Sequence, residues 1–269
     1  MPDIERDLTF YPVSNPHPAK LTREQIVQYN EKGFISPLDV FDADEIAEHR
    51  RYFDRLLEAA LARGWNSYSI NGWHTRCRGV YDLVVEPRIL DYVQDIVGED
   101  VICWGTHYFA KMPGDGKRVS WHQDASYWPL TPSKTVTVWL AIDDADEENG
   151  AMQVIPGSHR FGQIPFEQSD TAENNVLNQT VPAPDAYGEK PVAFVMRAGQ
   201  MSLHSDLLLH GSEPNLSNRR RCGLTMRFAP PDVRSLIGWN HNSVICRGND
   251  PSGHWANVPR PESDVLPSR

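Results

Sequence analysis

The chain has 269 residues, 40% of them hydrophobic and 23% charged, with a formal net charge of −10. Such a hydrophobic share is enough to bury a real core, and the charged share is near the globular average. The acidic balance excludes a broad nucleic-acid or anionic-membrane surface, because binding phosphates needs a basic field.

No run approaches the roughly 20 apolar residues of a membrane span. The opening MPDIERDLTFYPVSNP is polar, acidic and broken by proline, unlike a secretory leader. Cys77, Cys103, Cys222 and Cys246 are scattered and form no CxxC pair, so they read as reduced thiols of a cytoplasmic protein.

The first hundred residues read as helical. LTREQIVQYNEKG carries Thr22 and Gln25 at capping-box spacing and stops at Gly33. The next segment repeats the device with Asp42 and Glu45, places Ile46, Phe53, Leu56, Leu57, Ala60 and Leu61 at helical spacing, and stops at Gly64. A third helix is predicted from Pro87 to Val97. After residue 100 the period changes to two, predicting strands over 101–111, 135–142, 151–155, 191–197, 199–205 and 221–228, with a tight turn at Asn149-Gly150. Residues 161–190 show no periodicity and read as a long loop, a natural lid. The tail from Pro230 is rich in Pro, Asn and Gly and is expected to be irregular.

Helices first and strands afterwards predict an α+β, mainly β protein, built on an antiparallel barrel or jelly roll. Without a linker-like stretch, residues 1–269 are expected to form a single domain. It comprises a helical part about 20–98, a β core about 101–229 and the tail 230–269.

Two H-x-D pairs occur, His122/Asp124 and His204/Asp206. Residues two apart on a strand share a face, so a His nitrogen and an Asp oxygen can reach one metal. Non-haem Fe(II) oxygenases use two His and one carboxylate, leaving positions open. The pair alone selects neither candidate. In RCGLTMRF the residues Arg221, Gly223, Thr225 and Arg227 share one face, while Cys222, Leu224, Met226 and Phe228 share the other. If the apolar set packs on the helices, both arginines point inward, and an interior arginine predicts a bound anion.

The stretches WHQDASYW, VWLAIDDADEENGAMQVIPGSH and LLHGSEPNLSNRRRCGL resemble the phytanoyl-CoA dioxygenase family of Fe(II)/2-oxoglutarate oxygenases over about residues 20 to 230. The resemblance implies a double-stranded β-helix, a cupin-like jelly roll, with N-terminal helices packed on the barrel. It implies His122, Asp124 and His210 as iron ligands, Arg221 on the distal carboxylate of 2-oxoglutarate with Ser212 beside it, and Trp139 and His107 at the cosubstrate. It leaves His204/Asp206 as a polar strand end, against a rival triad with His241 followed by Arg247. Cofactors would be Fe(II), 2-oxoglutarate and O2, the cosubstrate leaving as succinate and carbon dioxide. Related halogenases have a small residue where Asp124 stands, so hydroxylation is expected.

The partner is then a small-molecule substrate for a monomer or homodimer, with no nucleic acid and no membrane. Trp121, Tyr127 and Trp128 would suit a quaternary ammonium through cation–π contacts; Arg227 would instead suit an acid, as in an aminoalkylphosphonate or amino acid. His159 reads as a loop anchor, the acidic run 143–148 as a solvated hairpin end, and Arg219 and Arg220 as facing solvent. The alternative function is a non-catalytic cupin-like metal-binding or sensing protein, which has no need of Arg221. A zinc hydrolase lacks a convincing general base.

Overall fold

A computed structural model describes residues 4–170 and 174–266. Both capping boxes form. Thr22 and Gln25 exchange side chain-to-backbone bonds at the start of α1 (Arg23–Lys32), and Asp42 and Glu45 do so at α2 (Ala43–Ala62). Between them runs β1 (Phe34–Asp39), unpredicted because Pro37 interrupts it. Two helices follow, α3 (Arg78–Val84) and α4 (Pro87–Val97). The first of these, seven residues long, is too short to show a helical period.

The strands are β2 (Val101–Lys111), β3 (Val119–His122), β4 (Leu130–Thr131), β5 (Val136–Ala141), β6 (Gln153–Val154), β7 (Glu167–Gln168) and β8 (Gln179–Thr180). They continue as β9 (Val192–Ala193), β10 (Gln200–Ser205), β11 (His210–Ser212), β12 (Arg221–Ala229), β13 (Arg234–Ser235) and β14 (Val244–Arg247). A larger sheet has the order β1-β10-β5-β12-β2-β14, and a smaller one β3-β11-β6-β9. All the pairings are antiparallel. Together they make the double-stranded β-helix.

The two faces of the larger sheet have different neighbours. Cys222, Leu224, Met226 and Phe228 join Val136, Val138 and Leu140 in one core with Phe53, Leu56 and Leu57 of α2 and Ile89, Leu90 and Val93 of α4. The opposite face forms cross-strand rows toward the barrel interior. Pairings place Arg227 opposite Thr137 and Gly105, and Thr225 opposite Trp139 and His107. Gly223 lies opposite Ala141 and Phe109, and Arg221 opposite Lys111.

Two expectations are corrected. The tail is not wholly irregular: β14 pairs with the edge of β2, and Trp255 packs with Ile102, Trp104 and Trp128. Nor are residues 161–190 without structure. Glu167–Gln168 pairs with Gln179–Thr180, while Ile164 and Val181 are buried. Gln123 anchors the segment, donating to Gly162 O at 2.8 Å and accepting from Ile164 N at 2.7 Å. Residues 171–173 of the expected lid lie outside the described residues.

Gly223 is where the sheet is tightest. A Cβ there would lie 2.1 Å from Cζ2 of Trp139, so the indole lies against the backbone only because position 223 has no side chain. Gly223→Ala should therefore destabilise the protein by about 1–3 kcal/mol, the usual cost of overpacking, and should displace Trp139. Chemical denaturation followed by tryptophan fluorescence checks both; unchanged stability and an unchanged spectrum would contradict this packing.

Candidate metal centre and active site

His122 ends β3 and His210 begins β11, and the two are paired across the smaller sheet. Their ring centroids are 4.1 Å apart. Asp124 does not lie on the strand, as the H-x-D argument assumed. It starts a 3-10 turn, Asp124–Ser126, but Gln123 remains extended at φ −108, ψ 131 and keeps Asp124 on the side of His122. Asp124 Oδ1 is 3.6 Å from His122 Nε2 and 4.0 Å from His210 Nε2. Among the described residues this is the one group of His, Cys, Asp or Glu side chains with ligand atoms converging within 4.8 Å.

The donor chemistry fits a divalent metal. Nδ1 of His122 is 2.8 Å from Ser120 O, and Nδ1 of His210 is 2.8 Å from Leu208 O. A carbonyl only accepts, so each Nδ1 carries the proton and each Nε2 presents a lone pair, the usual outer support of a metal-bound histidine. Burial, with His122 adjacent, pushes His210 down to about 3 and keeps it neutral. Burial would raise the Asp124 carboxyl, but His122, His210 and Arg227 outweigh it and hold it well below the usual carboxylate range. Two imidazole Nε2 atoms and a carboxylate are a donor set that suits Fe(II).

The pocket beside this group is lined by Trp139, Ser212, Arg221, Met152, His204 and Thr225, among others. Arg221 is 3% exposed, and its described partners include no carboxylate. Its Nε donates to Gly150 O at 3.1 Å, and the guanidinium lies over the Trp139 ring at 5.6 Å. Terminal N–H groups are left for an incoming anion, which fits the distal carboxylate of a dicarboxylic acid.

A second cavity of about 450 Å³ shares His122, Asp124 and Arg227 with the first, and adds Tyr68, His107, Lys117, Tyr127 and Trp128. His107 therefore lies apart from the Arg221 pocket. Its Nε2 donates to Tyr68 O at 2.7 Å, and burial, aided by the Arg227 charge, drives it down to about 4. Trp121 does not reach either cavity. Strand alternation turns it away from His122, and it packs against Ile155, Ile164, Val181 and Leu209.

Arg219 is exposed, as expected, though ion-paired, whereas Arg220 is half-buried. Arg219 pairs with Asp146 at 2.7 Å, and Arg220 with Asp54 at 2.6 Å and Asp143 at 2.7 Å. Asp143 also holds Arg50 at 2.9 Å, so part of the acidic run is neutralised. His159 does anchor its loop, 3.0 Å from Asn30 O. His241 is exposed on the turn Trp239–Asn242, and Arg247 pairs with Asp91, so the rival triad does not assemble.

The family model for phytanoyl-CoA dioxygenase (PhyH) matches residues 29–223. The chain belongs to the phytanoyl-CoA dioxygenase family. It is 27% identical over 238 residues to a probable alpha-ketoglutarate-dependent hypophosphite dioxygenase from Stutzerimonas stutzeri, covering 80% of this chain and 81% of that one. It is 25% identical over 240 residues to peroxisomal phytanoyl-CoA dioxygenase from Rattus norvegicus, covering 80% and 70%. A solved structure of the non-heme monooxygenase ThoJ in its apo form is 26% identical, with a TM-score of 0.77 and 88% of each chain covered. This PhyH-family chain is an Fe(II)- and 2-oxoglutarate-dependent dioxygenase acting on a small molecule. Among its described residues, no helix is long and apolar enough to cross a membrane.

Two residues of the site escape the sequence reading. Lys111 is fully buried, its Nζ donating to the carbonyls of Lys117 (3.0 Å), Ser212 (3.3 Å) and Glu213, and so ties β2 to β11 beside Arg221. Burial, with Arg221 nearby, lowers it to about 7. His204 does stand near the end of β10, as its penultimate residue opposite Thr137, but it is buried, with its ring 5.1 Å from His210. Its place on the inward alternation of β10, with Ser202, was the available signal.

Asp206 is buried too, accepting from Ser133 Oγ at 2.7 Å. Burial lifts its carboxyl to about 7 despite that bond. The folded chain then keeps a proton that the unfolded chain releases near 3.8. The contribution of Asp206 to the stability of the metal-free protein should therefore fall as pH rises from about 4 to 7, by up to about 1.4 kcal/mol per pH unit, against the opposite slope of the buried neutral histidines. In urea denaturation the stability of the parent relative to Asp206→Asn should decline across that pH window; a parent–variant difference that does not change with pH would refute the assignment.

Proposed function

We infer that His122, Asp124 and His210 hold Fe(II), that Arg221 with Ser212 and Trp139 seats 2-oxoglutarate, and that the protein hydroxylates a C–H bond of a small polar metabolite. The observation that carries this reading is the adjacency of two unlike halves. Three metal-ligand side chains converge, and the pocket they share contains a buried arginine whose described partners include no carboxylate.

When bound, the iron with 2-oxoglutarate and O2 supplies the oxidising chemistry, the cosubstrate leaving as succinate and carbon dioxide. The chain does the rest. Ser120 O and Leu208 O hold the two imidazoles in one tautomer. Arg221, stacked on Trp139, orients the cosubstrate through its distal carboxylate. Tyr127, Trp128 and Arg227 bound the cavity that positions the substrate near Asp124 and keeps bulk water from it. The carboxylate at position 124 leaves a halide no cleared place, so the product gains oxygen and not halogen. A purely metal-binding protein would have no use for a desolvated arginine in this pocket. The whole chain is read as one oxygenase domain, supported by the pairing of β14 with β2; its four unpaired cysteines support the cytoplasm as its compartment.

His122→Ala, Asp124→Ala and His210→Ala should each abolish metal binding and succinate formation, and His241→Ala should leave both intact. Calorimetry with Fe(II) under argon checks this, and full activity of His210→Ala would overturn the ligand set. Arg221→Ala should weaken 2-oxoglutarate about tenfold to a hundredfold, the loss of a charge-assisted pair worth about 1.5–3 kcal/mol, with metal affinity kept. An unchanged 2-oxoglutarate titration would remove Arg221 from this role. Mass spectrometry of the product in high chloride should show added oxygen only.

A further inference from the structure

Arg227 has an environment unlike that of the surface arginines. It faces the barrel interior between Thr137 and Gly105. Its guanidinium is 5.6 Å from the Trp104 ring centroid and 5.2 Å from that of Trp128, and the two indoles meet edge-on at 4.6 Å. Its Nε is buried without a hydrogen-bond partner. No carboxylate lies within ion-pair distance of it among the described residues, whereas Arg220, Arg247 and Arg260 each hold one at 2.7 Å or less.

Arg227 is half-buried, and with its Nε shut from water and no ion-pair partner its terminal N–H groups are left to an anion entering the cavity. Arg227 also lines the larger cavity, on the side that includes Asp124. The other cation lining that cavity is Lys117, its ammonium 5.4 Å from the Tyr68 ring centroid. Its acidic lining residue is Asp124, already committed to the metal group. Of the aromatic rings lining the cavity, the one indole, Trp128, already carries Arg227, and Tyr68 carries Lys117. A cationic substrate would therefore meet a guanidinium where it needs a bare ring.

Resting on the reading of His122, Asp124 and His210 as the metal site, we propose that the substrate is a small oxyanion-bearing metabolite, a carboxylate or phosphonate, whose acid group docks on the fork of Arg227. The planar guanidinium accepts either group bidentately. Trp104 and Trp128 hold that plane in one orientation, and this sets which C–H bond comes to lie beside Asp124. Arg221 and Arg227, six positions apart on one face of β12, then divide two anions between them: cosubstrate on the first, substrate on the second.

The test uses the full chain loaded with Zn(II), which is redox-inert, and with saturating 2-oxoglutarate to fill the Arg221 site. Tryptophan fluorescence and thermal shift are followed while propionate, butyrate and ethylphosphonate are titrated against propionamide, butyramide and tetramethylammonium. The acids should bind at least about tenfold more tightly than the amides or the cation, and Arg227→Met should lose at least about tenfold for the acids. That variant should keep the parent's circular dichroism spectrum and a single cooperative thermal transition, which shows that it is folded. Equal binding of acids and amides, binding of the cation alone, no binding by any probe, or undiminished acid binding by Arg227→Met would each overturn the proposal. Failure of 2-oxoglutarate to bind the Zn(II)-loaded parent would instead strike the oxygenase reading, and the same acid–amide comparison on metal-free protein then decides the Arg227 site by itself.

Discussion

Two guanidinium groups on the interior face of β12, neither ion-paired with a carboxylate among the described residues, are the constraint around which the rest of the barrel is organised. One residue before the strand, Arg220 is ion-paired with Asp143 and Asp54. One residue later, alternation turns Arg221 to the other face, where it donates to the peptide carbonyls of Gly150 and Phe109. The same alternation turns Arg227 inward. Cys222, Leu224, Met226 and Phe228 are meanwhile committed to the helix-packed core, so the strand cannot rotate to relieve either charge without exposing that core. Hydrophobic packing on one face thus holds two cations inside the barrel on the other, Arg221 buried and Arg227 half-buried.

The metal group depends on a different economy of contacts. Both imidazoles are oriented by the carbonyl two residues earlier in their own chain segment, so β3 and β11 carry their support with them. Cross-strand pairing of His122 with His210 brings the two rings together. Gln123, between the two residues of the H-x-D pair, points elsewhere and ties the 162–164 segment and Leu207 O to the site. Lys111 does the same from the larger sheet by gathering the carbonyls around Ser212. The site is a meeting of two sheets, and each has its own tie.

Much of this was legible in the residues, for physical reasons. Capping boxes and a 3.6 period mark α1 and α2 because those signals are local. The nine residues of β12 show their alternation because one face is wholly apolar. What escaped was short or decided by partners far away in sequence. The strands β3 and β11 have four and three residues, too few for a period. The strand β14 is recruited from a polar tail by the edge of β2. Trp121 looked like part of the substrate wall because it adjoins His122, but neighbours along a strand face opposite ways. Arg220 looked solvent-facing because its acidic partners, Asp143 and Asp54, lie more than 70 residues away in the chain. The aromatic nest around His122 also concealed that its cation was already in place: Trp104, distant in sequence, joins Trp128 in holding Arg227.

The central claim is that one pocket seats a metal and a dicarboxylate at opposite ends. An anaerobic crystal structure with Fe(II) and 2-oxoglutarate tests it most directly. The account predicts metal density among Nε2 of His122, Nε2 of His210 and the Asp124 carboxylate, with the distal carboxylate of 2-oxoglutarate on the Arg221 fork and Arg227 left facing the larger cavity. A metal bound elsewhere, or 2-oxoglutarate lying with its distal carboxylate on Arg227, would contradict it.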